Sequence, residues 1–164
     1  MNNQEAENIL LECKNDLDSA RNILLSLGAT STVVPFLNKY CIIRACGSIE
    51  IAFKMIISDK LNLESKSQIK KYINKHIRES SMNPSYDNIC SLLKKFDDSW
   101  NSNFKNRIKD HPQKTNLMFS LESLIAARNE FAHGGNPNLS LRNTIDYFEN
   151  SKVIIQILDN VMKD

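Results

Sequence analysis

Along most of this chain apolar side chains recur every three or four residues, and no segment sustains an alternation of apolar and polar positions. A period near 3.6 is what an amphipathic helix buries, whereas a half-buried strand needs a period of two. Only 4 Gly and 4 Pro occur among 164 residues, so there is little material for the tight turns of a β-rich fold. The expected class is therefore all-α, a multi-helix bundle. Its length suits a single domain, residues 1–164, able to bury a core without disulfide or metal support.

The stripes place the helices. Ile9, Leu10, Cys13, Leu17, Ala20, Ile23, Leu24 and Leu27 mark a first helix over residues 4–27, stopped by Gly28. Ser31 and Thr32 are candidate N-caps of a second, with Pro35 in its first turn; it runs from Phe36 to about Leu61 and is the most apolar element. Arg44 and Glu50 are its conspicuous charges. A shorter basic helix over 65–79 carries Ile69, Tyr72, Ile73 and Ile77 on one face. A loop over 79–85 leads to a helix through Tyr86, Ile89, Leu92, Leu93 and Phe96. Trp100, Phe104 and Ile108 predict one more short helix, ended by Asp110-His111-Pro112. Residues 116–133 form the next, closed by Gly134-Gly135-Asn136-Pro137. The last starts from a cap at Asn138 or Ser140 and continues through Val161. The architecture expected is two or three long antiparallel helices with a looser basic helical insert over 62–114.

No run of 18 apolar residues predicts a membrane span, and no charged-then-apolar leader is visible, so a cytoplasmic protein without membrane partners is expected. Cys13, Cys41, Cys46 and Cys90 lack any C-x-x-C pair and read as reduced, buried thiols. The net charge is +2, but residues 60–114 hold twelve Lys/Arg against six Asp/Glu, a local +6 that leaves −4 elsewhere. That imbalance suits a polyanion, and equally a solvated helix face. Lys70, Lys71, Lys75 and Arg78 are the candidate RNA-binding cations.

The stretch Arg128-Asn129-Glu130-Phe131-Ala132-His133-Gly134-Gly135 carries whatever chemistry the chain has. Leu117, Leu121 and Leu124 precede Arg128 at helical steps, so the guanidinium emerges where a core residue would be expected and needs a carboxylate, a second chain or a phosphate as partner. Arg128 and His133 are separated by about 500° of ideal helix. A distorted last turn would bring them together, or counterparts would meet across a two-fold interface, the arrangement expected here. Asn129 stands four residues before His133, within reach of the imidazole. An imidazole suits proton transfer near neutral pH, and an arginine stabilises charge growing on phosphorus, so the pair could cleave RNA without a metal. No histidine lies at ligand spacing, and neither metal nor cofactor is expected. On spacing alone the same residues also read as an ion pair and a polar helix cap. His76 reads as a surface position, His111 as a turn residue, and Trp100, Tyr72 and Tyr86 as core anchors before base-stacking platforms.

Leu124-Ile-Ala-Ala-Arg128-Asn129-Glu-Phe-Ala-His133-Gly134 resembles the signature of the HEPN superfamily, an Arg, a polar residue and a His after four to six intervening positions. Arg44-Ala-Cys-Gly47-Ser-Ile-Glu50 is similar to the second helix of the RiboL-PSP type of HEPN protein, so the resemblance spans the first two and last two helices. It implies a helical, usually homodimeric, metal-independent endoribonuclease of bacterial toxin–antitoxin or phage-defence systems, leaving a 2′,3′-cyclic phosphate and a 5′-hydroxyl. Carried over by position, Arg128 and His133 are the catalytic pair and Asn129 the polar motif residue. Glu50 is a supporting residue, facing either Arg128 or, four residues along its own helix, Lys54. RNA is the expected substrate, with a cognate antitoxin or defence-complex partner. The competing readings are a non-catalytic HEPN scaffold or nucleotide/RNA-binding module, and an antitoxin-like protein binding a partner through its helices.

Overall fold

The computed structural model describes residues 1–28, 31–63 and 65–163, which contain no strand. Seven α-helices follow in order: α1 (Gln4–Leu27), α2 (Val34–Asn62), α3 (Ser67–Ile73), α4 (Tyr86–Phe96), α5 (Asp98–Lys109), α6 (Lys114–Ala132) and α7 (Leu141–Lys163). The all-α expectation holds.

In α1 the Asn3 side chain accepts the Ala6 N–H at 2.9 Å, Glu5 and Glu7 sit at the positive end of the dipole, and Gly28 ends the helix at φ 80°. Its buried positions Ala6, Leu10, Cys13, Leu17 and Ala20 step by four and three, one seam turned to the core. Asp16 against Arg44 and Asn3 against Asp59 run α1 antiparallel to α2. Asn150 donating to Ser120 (2.9 Å) and the short 133–140 connection make α6 and α7 an antiparallel hairpin. Helix α2 packs on both α1 and α7, while α4 and α5 pair and reach the body through α7. Phe53, Phe104 and Phe148 are fully buried in the cluster these helices share. At roughly 1.5–3 kcal/mol for each large apolar side chain removed from water, that cluster is what orders the bundle. All four cysteines are free and buried.

Three local expectations are corrected. Neither Ser31 nor Thr32 caps α2: Val33 takes the cap position without a side-chain bond, and Pro35 near the start supplies the preset φ instead. The basic helix is not uniformly α; after Ile73 it widens into a π-helical turn, Asn74–Arg78, in which Glu79 N–H reaches back to Asn74 O at 2.9 Å. Finally, only Ile73 and Ile77 of its apolar face are buried. Ile69 and Tyr72 are 51% and 62% exposed. Tyr72 packs its ring on His76 at 4.3 Å between centroids and anchors no core, whereas Tyr86 and Trp100 do pack against it. Ser140 caps α7 as expected, accepting the Asn143 N–H at 3.1 Å.

Candidate active site

Leu117, Leu121 and Leu124 bury one face of α6, and Arg128 follows them on that face with 31% of its side chain exposed. The guanidinium sits against α2. Its Nη2 lies 4.0 Å from Glu50 Oε2, and its Nη1 donates to Asn129 Oδ1 at 3.1 Å. Glu50 is itself only 13% exposed, and its other oxygen is more tightly used: Oε1 accepts from Lys54 Nζ at 2.9 Å and from the Met82 N–H at 3.0 Å. The carboxylate thus serves both partners, closely for Lys54 and at the edge of ion-pair range for Arg128. Neighbouring Cys46, whose thiol burial pushes up to about 12, feels both the Arg128 and Glu50 charges, which places all three at one crossing of α2 and α6.

The helix stays regular through this region, with the His133 N–H bonded to Asn129 O at 3.0 Å. No distortion of the last turn draws the motif together, so by helix geometry Arg128 and His133 leave the axis about 140° apart. His133 is the C-cap residue, followed by a Schellman closure: Gly135 N–H bonds Glu130 O at 2.8 Å and Gly134 N–H bonds Phe131 O at 3.0 Å, with Gly134 at φ 83°. A Cβ on Gly135 would meet Glu130 Cγ at 2.6 Å and its carbonyl oxygen at 2.8 Å, so this turn needs both glycines. Because backbone alone closes the helix, the exposed imidazole is not needed as a cap. The Asn129 amide does not hold it as the spacing suggested; its oxygen takes Arg128 and, at 3.3 Å, Asn83 Nδ2.

Asn83 is a residue the sequence reading missed. It lies on the 79–85 loop, whose other ties also run to this site: Ser80 O accepts from Lys54 Nζ, and the Met82 N–H donates to Glu50. Nothing local marked it, since an Asn-Pro pair signals a turn and no more.

Of the candidate RNA-binding cations, Lys70, Lys71 and Lys75 are exposed and line one groove with Ser67 and Asn74. Arg78 is instead committed within the protein, 2.6 Å from Asp59 and 3.8 Å from Glu5. Arg44 is likewise engaged, at 2.6 Å from Asp16 and 2.9 Å from Ser48 Oγ, where it joins α1 to α2 away from Arg128. His111 serves its turn, accepting the Gln113 N–H at 3.1 Å. Among the described residues no three His, Cys, Asp or Glu side chains gather in a metal-binding group, and no helix is long and apolar enough to cross a membrane.

Comparison with curated proteins and with solved structures finds no match. The model of the RiboL-PSP-HEPN family, however, matches residues 2–164, taking in the basic middle as well as the motif helix and α2. HEPN domains are all-α and often ribonucleases. With a family match over nearly its whole length, the chain belongs to the RiboL-PSP-HEPN family.

Proposed function

We propose that this protein is a metal-independent endoribonuclease of a bacterial defence or toxin–antitoxin system, acting in the cytoplasm as a homodimer with residues 62–114 as a substrate-binding insert of one domain. The reading is carried by one observation: an arginine held by Glu50 and Asn129, yet one-third exposed, shares a helix end with an exposed imidazole that the Schellman closure leaves free. In the reaction, His133 takes the proton from a ribose 2′-hydroxyl, or gives one to the departing 5′-oxygen, as the 2′-oxygen attacks the adjacent phosphorus. The P–O5′ bond breaks, leaving a 2′,3′-cyclic phosphate and a 5′-hydroxyl. Arg128 stabilises the charge that builds on the phosphoryl oxygens.

Because the two groups diverge around α6, one chain does not aim both at one phosphate, and a second copy supplies the missing half. The partner surface that fits is the exposed side of α2. Phe36, Tyr40, Ile43 and Ile51 are 71%, 51%, 40% and 44% exposed and follow one another at helical spacing through Gly47, alongside Glu50. Substrate binding is supported by Lys70, Lys71 and Lys75, with the exposed Tyr72, whose ring rests on His76, beside them on the same segment.

End-labelled RNA incubated with the protein, with and without EDTA, tests the proposal. Cleavage that persists in EDTA and disappears in both Arg128→Ala and His133→Ala supports it. Full cleavage by His133→Ala, or activity lost in EDTA and restored by Mg²⁺, refutes the scheme. The second reading, a non-catalytic scaffold or RNA-binding module, is favoured by the internal contacts that already occupy Arg128. RNA bound intact, with the same affinity in His133→Ala, would establish it.

A further inference from the structure

We propose that Asn83, on the loop between the basic helix and α4, is a positioning residue of the catalytic site, acting on Arg128 through Asn129; this rests on the ribonuclease reading. Two donors converge on a single oxygen: Arg128 Nη1 at 3.1 Å and Asn83 Nδ2 at 3.3 Å both bond Asn129 Oδ1. Asn129 alone, next to Arg128 on a helix, would be free to turn its amide over and present a donor to the guanidinium, which accepts nothing. Asn83 adds a second donor to the same oxygen, so with its own amide in this orientation a flipped Asn129 would set its NH₂ against two donors and not one. The useful rotamer of Asn129, and with it the direction of Arg128, is therefore set from 46 residues away in sequence.

The loop is built to deliver this contact. Met82 N–H is held by Glu50, Ser80 O by Lys54, and the Asn83 carbonyl by Asn88 Nδ2 at 2.9 Å. Asn83 also carries a cost. Its Oδ1 is buried without a donor, which is unfavourable for any polar atom, so packing alone would favour an apolar side chain at this position. An amide kept there at the expense of stability points to what its NH₂ does.

The test compares wild type, Asn83→Ala, Asn129→Ala and the double variant on one RNA substrate, measuring kcat, KM and the unfolding midpoint of each. A positioning residue lowers kcat by about tenfold, the scale of one hydrogen bond's worth of orientation, with KM within about twofold. Its midpoint is unchanged or raised, because the orphaned acceptor has gone. Since Asn83 acts through Asn129, the double variant is no slower than Asn129→Ala. Undiminished kcat in Asn83→Ala, losses that multiply in the double variant, or a fall in kcat matched by a fall in midpoint would each overturn the role. Should Asn83→Ala not fold, Asn83→Asp keeps the shape and removes the donor, and its kcat decides in the same way. Wild-type protein that leaves RNA uncut overturns the ribonuclease reading and this role together; wild type that cuts beside an equally active Asn83→Ala overturns this role alone.

Discussion

Removing Glu50 should cost far more than its place on an i,i+4 helical pair suggests. Exposed pairs of that kind contribute about 0.3–0.5 kcal/mol. Here Glu50 is 13% exposed and Lys54 7%, so both charges are largely out of water. Glu50→Leu would leave the Lys54 ammonium with Ser80 O alone and the Met82 N–H without its acceptor. Breaking a buried pair from one side costs roughly 3–5 kcal/mol, mostly because the remaining charge stays buried and uncompensated. For a chain of this length about 1 kcal/mol moves the melting temperature by roughly 2–4 °C, so the expected loss is on the order of 10 °C. Adding Lys54→Met removes the stranded charge and should restore most of it. Urea unfolding of wild type, both single variants and the double variant gives the coupling energy of the cycle directly. A coupling below about 1 kcal/mol, the range of exposed pairs, would show that water reaches the pair and would refute the reasoning.

Burial pushes the Cys13 thiol up to about 11 and those of Cys41 and Cys46 up to about 12, so the folded chain keeps them neutral after the unfolded chain has begun to ionise near 9. Their contribution is complete below that pH and is lost as pH climbs towards 11, so the urea midpoint should fall between pH 8.5 and 10.5, and less steeply in Cys46→Ala, with an equal slope in both proteins refuting it. Gly134→Ala, at φ 83°, should cost about 1 kcal/mol of stability, and Gly135→Ala more, because the Glu130 carbonyl must move; equal midpoints for Gly135→Ala and wild type would contradict the closure. Ile43→Glu on the exposed α2 stripe should yield monomers by light scattering and abolish RNA cleavage without lowering the melting temperature, and a cleaving monomer would remove the composite site.

The helices could be read from the sequence where one stripe of side chains decides burial. The row Leu10, Cys13, Leu17 and Ala20 on α1 and the run of Leu117, Leu121 and Leu124 on α6 each repeat over several turns, so the period identifies the element and most of its buried face, although Ile23 and Leu27 of the same α1 stripe are exposed. The basic segment was harder because Ile73 and Ile77, four apart, fit an α-helix and a π-turn alike. Whether Ile69 and Tyr72 were covered depended on tertiary packing, which no local pattern contains. The same holds for charges: Arg78 belongs to a basic run in sequence, yet the fold brings Asp59 and Glu5 to it and withdraws it from the surface set.

At the site the division follows sequence separation. Arg128, Asn129 and His133 were visible because one helix end carries all three, and the periodicity that places Arg128 on a core-facing row also says that it needs a partner. Which carboxylate answers that need is settled only where α2 crosses α6, and Glu50 divides its two oxygens between Arg128 on one side and Lys54 with the Met82 N–H on the other. That division ties the basic middle to the motif. The segment carrying the exposed lysines leads into the 79–85 loop, and the loop rests on the same carboxylate and the same asparagine that hold the arginine. On the proposed function, a polyanion drawn to Lys70, Lys71 and Lys75 would bind the segment that leads into this loop. The bonds from Met82 N–H to Glu50 and from Asn83 to Asn129 thus join the segment that carries the lysines to the residues around Arg128.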